Sequence, residues 1–369
     1  MARYRAGLSI RQLADRTGVS HPAISQYETG RGKPSPNILT QLAMATGVSM
    51  DYLTYGDRPI SLAGLEGTHF RSLRSTSKQN RVRAWVWSET VLDLVNVLER
   101  YVRLPELDLP LVPLEPDAKS SHILDAVNQL RDHWELVEGP VGFLVRHMER
   151  HGVMVSRLPI ADDGIDAYSQ NQGSHPVVVL GTNKENIARS RFDAAHELGH
   201  LVCHPEADPG GVQETQAHAF AAELLMPAGQ MVRFLPRRFD LGQYAKLKQE
   251  WGVSIAALLF RARALEIISE AAYRRAVVAM NSTYGRRNEP FQLTRPDEPT
   301  MLATAVTLAE QNGIFIEQIA TEARLSFADV SVIIGGCERR PFIQILDENA
   351  GVQGFESPNL THGVSKHLS

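Results

Sequence analysis

The stretch RSRFDAAHELGHLVCHP (Arg189–Pro205) decides how the chain is read. As a helix from about Glu185 to Cys203, it puts His196 and His200 four residues apart on one face. Two imidazoles so placed can reach a single cation. Glu197 stands beside them, able to take a proton from a metal-bound water. Zinc would lower that water's pKa from about 15.7 to about 7 and polarise a carbonyl as a Lewis acid. Both effects serve peptide hydrolysis. Phe192, Ala195, Leu198, Leu201 and Val202 supply the apolar positions that would bury the helix. Cys203 reads as a small buried hydrophobe.

Working outward, Val153–Leu158 and Val177–Leu180 read as strands, joined through a polar, hairpin-like region around Asn171–His175. Downstream, ETQAHAFAAELLMP (Glu214–Pro227) falls in a helix from about Gln213 to Met226, which Pro227 ends. Its first turn offers Glu214, fourteen residues after His200. Two His and one Glu with an open fourth position is a common zinc peptidase arrangement. Glu214 therefore ranks first as third ligand, with His218 and His204 as the alternatives. His204 does not complete the longer His-containing signature, because the later Gly and its spacing are missing. Leu224, Leu225 and Met226 read as core.

The segment LSIRQLADRTGVSHPAISQYETGRGKPSPNILTQLAMATGVSMDYL (Leu8–Leu53) reads as short helices separated by turns. Ser9 and Gln12 form a capping box that opens one helix, with Leu13 and Ala14 facing inward. Gly18 ends that helix with a positive φ. Ser20 caps a second helix, whose Ala23, Ile24 and Tyr27 pack back. That leaves His21, Pro22, Ser25 and Gln26 outward at the end a recognition helix presents to the major groove.

This segment resembles the XRE (phage repressor and Cro-like) helix-turn-helix family through GVSxxAISxYExGxxxPS. The resemblance implies that Gln26, Ser25 and His21 meet base edges of double-stranded operator DNA, while Arg11, Arg31 and Lys33 meet phosphates. It also implies a homodimer on half-sites about one helical turn apart. Ile10 stands where the family usually has a phosphate-clamping Gln, and the helix before the motif is cut short. HELGH together with ETQAHAFAAELLMP resembles the ImmA/IrrE metallopeptidases, with HFRSLRST (His69–Thr76) and RSRFDAAHELGH as further shared features. That resemblance implies a gluzincin-like fold, His196, His200 and Glu214 on Zn2+, and Glu197 as general base. His218 stands where the family usually has Asp or Asn, one turn after Glu214, a position that commonly orients a liganding His.

The 369 residues call for more than one compact unit. With 43% hydrophobic and 22% charged residues the composition is ordinary for a soluble protein. A net charge of −4 excludes a chain that coats nucleic acid along its length, though not one small basic module. Two cysteines without a CxxC fit a reducing compartment. The polar N-terminus gives no secretory signal and no apolar run is long enough for a membrane span, so a cytoplasmic protein is expected.

The expected fold class is α+β, mainly α. Residues 1–57 form the all-α helix-turn-helix domain. Residues 58–118 form a connector: a basic stretch from about Arg71 to Arg83, a helix over Trp85–Val102 in which Trp85 and Trp87 pack a helix or a dimer contact, and an extended Pro-rich linker, Leu104–Asp117. Residues 119–265 form the α+β metallopeptidase domain, opening on a helix capped by Ser121 and a second one over Val141–His151. Residues 266–345 form a helical region, and 346–369 a disordered tail. Gly313–Gly336 has a weak helix-turn-helix rhythm but reads as a plain helical hairpin, and no internal repeat is evident. Two functions compete. One is a regulator that binds operator DNA and cleaves a repressor-type protein through its zinc site. The other is a DNA-binding repressor or antitoxin-like regulator whose zincin domain is structural or sensing.

Overall fold

The computed structural model describes residues 1–54, 78–158, 166–171, 175–181, 186–205, 210–285 and 288–335, except the side chains of 78 and 79. The expectations for the tail 346–369 and for His69–Thr76 fall outside these residues.

The N-terminal module comprises α1 (Ala2–Arg5), α2 (Ile10–Thr17), α3 (His21–Glu28), α4 (Pro36–Thr46) and α5 (Met50–Thr54). Its boundaries are set by local chemistry. Ser9 and Gln12 form the capping box, Gly18 takes φ +67° after α2, and Ser20 and Ser35 accept from the backbone of Ala23 and Ile38. Leu8, Leu13, Ile24 and Leu42 are its buried core. Arg3 joins α1 to the end of α3 by donating to both carboxylate oxygens of Glu28 and to the Leu8 carbonyl.

The connector helix, α6 (Lys78–Leu98), starts well before Trp85 and absorbs Arg81 and Arg83 from the supposedly separate basic stretch. Val82, Trp85, Val86, Trp87, Leu94 and Val95 are all buried, so apolar residues surround the helix rather than forming one stripe. The Pro-rich stretch that follows is extended, as its composition suggests, but it is an ordered strap. Asp108 N–H donates to the His151 carbonyl, and Val112 and Leu114 donate to those of Val202 and Cys203.

α7 (Ser120–His133) opens at Lys119, not at a Ser121 cap; the Lys119 N–H donates to His122 Nδ1. α8 (Leu144–Arg150) is shorter than the expected Val141–His151. The sheet contains β1 (Met154–Arg157), β2 (Ala167–Gln170) and β3 (Val177–Leu180) in the order β1-β3-β2. β1 runs parallel to β3, with Met154 opposite Val177, while β2 is antiparallel, with Ala167 opposite Leu180. The expected hairpin between the two apolar strands is thus corrected: β3 takes its antiparallel partner from a third strand.

The remaining helices are α9 (Ile187–Cys203), α10 (Gly211–Leu225), α11 (Ala228–Phe234), α12 (Leu241–Trp251), α13 (Ile255–Ala264), α14 (Glu270–Tyr284), α15 (Met301–Gln311), α16 (Ile316–Glu322) and α17 (Phe327–Ile333). Side chains alternate across the sheet. Val155, Ala167, Val178 and Leu180 enter the core built by α7 to α14, while Met154, Tyr168, Val177 and Val179 enter the core of α6 and α15 to α17. Burial on both faces explains why Val177–Leu180 is an uninterrupted apolar run. The architecture is α+β, mainly α.

α16 and α17 form more than a plain hairpin. Shifted by 306 positions, Ile10, Gln12, Ala14, Ser20 and Ser25 coincide with Ile316, Gln318, Ala320, Ser326 and Ser331. Leu13 and Ile24 coincide with the equally buried Ile319 and Val330. Arg324 takes φ +58° where Gly18 takes +67°, and Ser326 caps α17 as Ser20 caps α3. The turn geometry and burial of α2–α3 therefore recur near the other end of the described chain, against the expectation of no internal repeat.

Candidate metal centre and DNA-facing helix

α9 starts at Asn186, whose side chain accepts from the Arg189 N–H. Ala194, Ala195, Leu198, Leu201 and Val202 bury its inner side. Its other face brings the His196 and His200 Nε2 atoms within 3.2 Å of each other. α10 crosses it and delivers Glu214, whose Oε2 lies 3.3 Å from His196 Nε2 and whose Oε1 lies 3.4 Å from His200 Nε2. The crossing is close because Gly199 has no side chain: a Cβ there would lie 3.0 Å from Phe220 Cδ1.

These separations can be tested against zinc. Ligands about 2.0–2.1 Å from a tetrahedral ion stand about 3.3 Å apart; the two imidazole nitrogens lie 3.2 Å apart, and each faces a different Glu214 oxygen, at 3.3 and 3.4 Å. Oε1 of Glu214 is buried with no hydrogen-bond partner. With one atom from each residue the ligand atoms lie within 4.8 Å of one another, so the two-nitrogen, one-oxygen set fits zinc in type and number.

The charges agree. Burial pushes the Glu214 carboxyl up, but the facing His196 and His200 imidazoles outweigh it and hold the carboxyl well below the usual range. Burial pulls His196 down, but its hydrogen bond to Glu214 and the charges of Glu197, Glu214 and Asp193 raise it overall. The carboxylates thus favour a positive charge between them.

Glu197 is buried on the same helix, and its Oε2 accepts from Ser169 Oγ at 2.7 Å. Ser169 lies on β2, the strand that sequence reading missed. His204 lies outside the ligand cluster. Its Nδ1 is 3.2 Å from Nδ1 of His200, and its Nε2 is 2.8 Å from Oε1 of Gln216. His218 also stands apart, its ring 6.5 Å from that of His196 and 4.8 Å from Phe192. Burial and the neighbouring His196 lower its pKa. His218 instead lines a groove of about 580 Å3 with His196, Glu214, Leu124, Ala222 and Phe260.

In the N-terminal module His21, Pro22 and Gln26 are exposed on α3 and Ser25 is half-buried; Arg11, Arg31 and Lys33 are all exposed. The turn after α3 closes through N–H bonds from Arg31 and Gly32 to the Gln26 carbonyl, which places two cations just beyond the helix. At the corresponding positions of α16–α17, Glu317, Phe327 and Val332 replace Arg11, His21 and Gln26. That second face lacks these three polar or cationic groups.

Comparison with known proteins follows the same division. Residues 148–263 match the IrrE N-terminal-like domain of the M78 peptidases, and residues 1–53 match a helix-turn-helix family model. An uncharacterized HTH-type transcriptional regulator, found in two strains of Mycobacterium tuberculosis, is 51% identical over 51 residues, 14% of this chain. The match spans 36% of that relative's length, so the chain covers about a third of the curated relatives it matches. Among the described residues no helix is long and apolar enough to cross a membrane. The chain joins an XRE-type helix-turn-helix domain to an IrrE N-terminal-like domain of the M78 metallopeptidase kind.

Proposed function

We propose that this DNA-binding regulator is also a zinc-dependent endopeptidase, with His196, His200 and Glu214 holding the metal and Glu197 as general base. The observation that carries the reading is the convergence of the His196 and His200 Nε2 atoms, 3.2 Å apart, on the two oxygens of the Glu214 carboxylate at 3.3 and 3.4 Å, beside the buried Glu197. Zinc bound there would acidify a water and polarise the scissile carbonyl. Glu197 takes the proton of the attacking water and returns it to the departing amine. Ser169 holds one oxygen of Glu197, which leaves the other for the water. The groove beside His196, walled by Leu124, Ala222 and Phe260, suits an apolar side chain of a polypeptide substrate.

In this reading the protein works in the cytoplasm, binds operator DNA as a homodimer through His21, Ser25 and Gln26 with Arg11, Arg31 and Lys33 on phosphates, and cleaves a repressor-type protein. Metal content is measured by mass spectrometry on the wild type, Glu214→Ala and His218→Ala. The expected result is one zinc per chain, lost with Glu214→Ala and kept with His218→Ala. Glu197→Gln keeps the zinc and abolishes cleavage of the repressor. A wild type without zinc refutes the enzymatic reading and leaves a DNA-binding regulator with a scaffold domain.

A further inference from the structure

His204 is fully buried at the end of α9, one turn beyond His200, and both of its ring nitrogens have partners within the protein. The proton roles around it follow from a single requirement. If Nε2 of His200 is to present a lone pair to a metal, the neutral ring carries its proton on Nδ1. That Nδ1–H points at Nδ1 of His204, 3.2 Å away, which must therefore accept. His204 then holds its own proton on Nε2 and donates it to Oε1 of Gln216 at 2.8 Å. With its oxygen so used, the Gln216 amide turns its Nε2 to the Glu115 carbonyl, 2.8 Å away. Each donor in the series meets an acceptor, and the last acceptor is a backbone carbonyl that cannot exchange roles.

We infer that His204 and Gln216 are positioning residues for the metal centre, forming a one-directional hydrogen-bond relay that fixes the ring and tautomer of His200. The inference rests on the metal-centre reading above. It assigns His204 a task other than liganding, although the sequence leaves it as an alternative third ligand behind Glu214. Geometry settles between the two: His204 faces Nδ1 of His200, whereas His196 and Glu214 face Nε2.

Two parts of the fold hold the far end in place. Gln216 lies on α10 two residues after Glu214, so one helix carries both the proposed third ligand and the support of the second. Glu115 belongs to the strap, which Val112 and Leu114 anchor to the last carbonyls of α9. The relay thus ties the strap, α9 and α10 to one imidazole orientation.

The test is zinc titration of the full-length apo-protein against a chromophoric chelator, with the melting temperature of each apo-variant alongside. Outer groups that orient a liganding His typically change metal affinity by about 10–100-fold. His204→Leu and Gln216→Leu are expected to weaken zinc by that factor and to alter the visible spectrum of the cobalt-substituted protein. His204→Asn, which can offer an amide oxygen near the Nδ1 position, should recover most of the affinity. A folded His204→Leu protein that binds zinc as tightly as the wild type overturns the relay, as does an Asn variant no better than Leu. Where a variant fails to fold, 15N NMR of the zinc-loaded wild type decides: His204 protonated on Nε2 supports the relay, and protonation on Nδ1 overturns it. A wild type that takes up no zinc removes the metal-centre reading itself, a result distinct from zinc binding that is indifferent to His204.

Discussion

Replacing Gly199 with alanine sets two opposing effects against each other in the metal helix. Alanine in place of a helical glycine is worth about 1 kcal/mol of intrinsic preference. The new methyl, however, would sit 3.0 Å from Phe220 Cδ1 and 3.2 Å from its Cβ and Cγ. Carbon pairs prefer about 3.5–4.0 Å, so either α10 or the ring must give by roughly half an ångström. Phe220 is fully buried, which leaves the ring no open space. Overpacking of this kind costs about 1–3 kcal/mol, so the net change is a destabilisation of about 0–2 kcal/mol. Metal binding should suffer more clearly. Glu214 rides on the same helix as Phe220, so a retreat of α10 stretches the 3.3 and 3.4 Å separations to His196 and His200. A loss of about tenfold in zinc affinity is expected, comparable to disturbing the supporting groups of a metal site. Urea unfolding of the apo-protein measures the first effect and chelator competition the second. Adding Phe220→Leu should restore zinc affinity even though the smaller side chain loosens the core. A Gly199→Ala protein about 1 kcal/mol more stable, with unchanged zinc binding, would refute the close-contact argument.

Two further outcomes test other parts of the molecule. Gln26→Ala should lower affinity for a selected operator by about 1–3 kcal/mol and relax sequence preference, whereas Arg11→Ala should weaken all sequences alike; an equal loss on every sequence for Gln26→Ala would reassign it to phosphate. Arg191 and Asp297 form a buried pair, and Arg191 also donates to the Val141 and Gly142 carbonyls. Arg191→Met strands a carboxylate that burial already pushes upward, so it should cost about 3–5 kcal/mol in urea unfolding, and Arg191→Met with Asp297→Leu should cost less. Equal losses would show that the pair contributes no charge coupling.

What could be read from the sequence was what depends on near neighbours. His196 and His200 are one turn apart, Glu214 opens the next helix, and the Ser9–Gln12 cap, the Gly18 turn and the Ser20 cap all act within four residues. The missed features depend on distant partners. AYSQ is four residues long with two polar members, and it is a strand because β3 pairs with it, so Ser169 escaped notice along with its contact to Glu197. The role of Gln216 is set by the carbonyl of Glu115, 101 positions away. α6 is apolar on every side and basic at its start, so no stripe marked where it begins. In α16–α17 the signal was present, but Arg324 holds the turn position that a glycine marks in α2–α3.

The contacts of the first and last described helices also set an order of assembly. Arg5 of α1 pairs with Asp329 of α17, and Tyr101 donates to Glu322 of α16 across 221 positions. The caps and small core of the N-terminal module are local, whereas these docking contacts wait for the last helices. Because chains emerge from the ribosome N-terminus first, the DNA-reading module can gain its own structure early in synthesis. Its Arg5–Asp329 pair forms only when translation has passed Asp329. A ribosome stalled before that point would display a folded DNA reader packed on α6 but without its contact to α17.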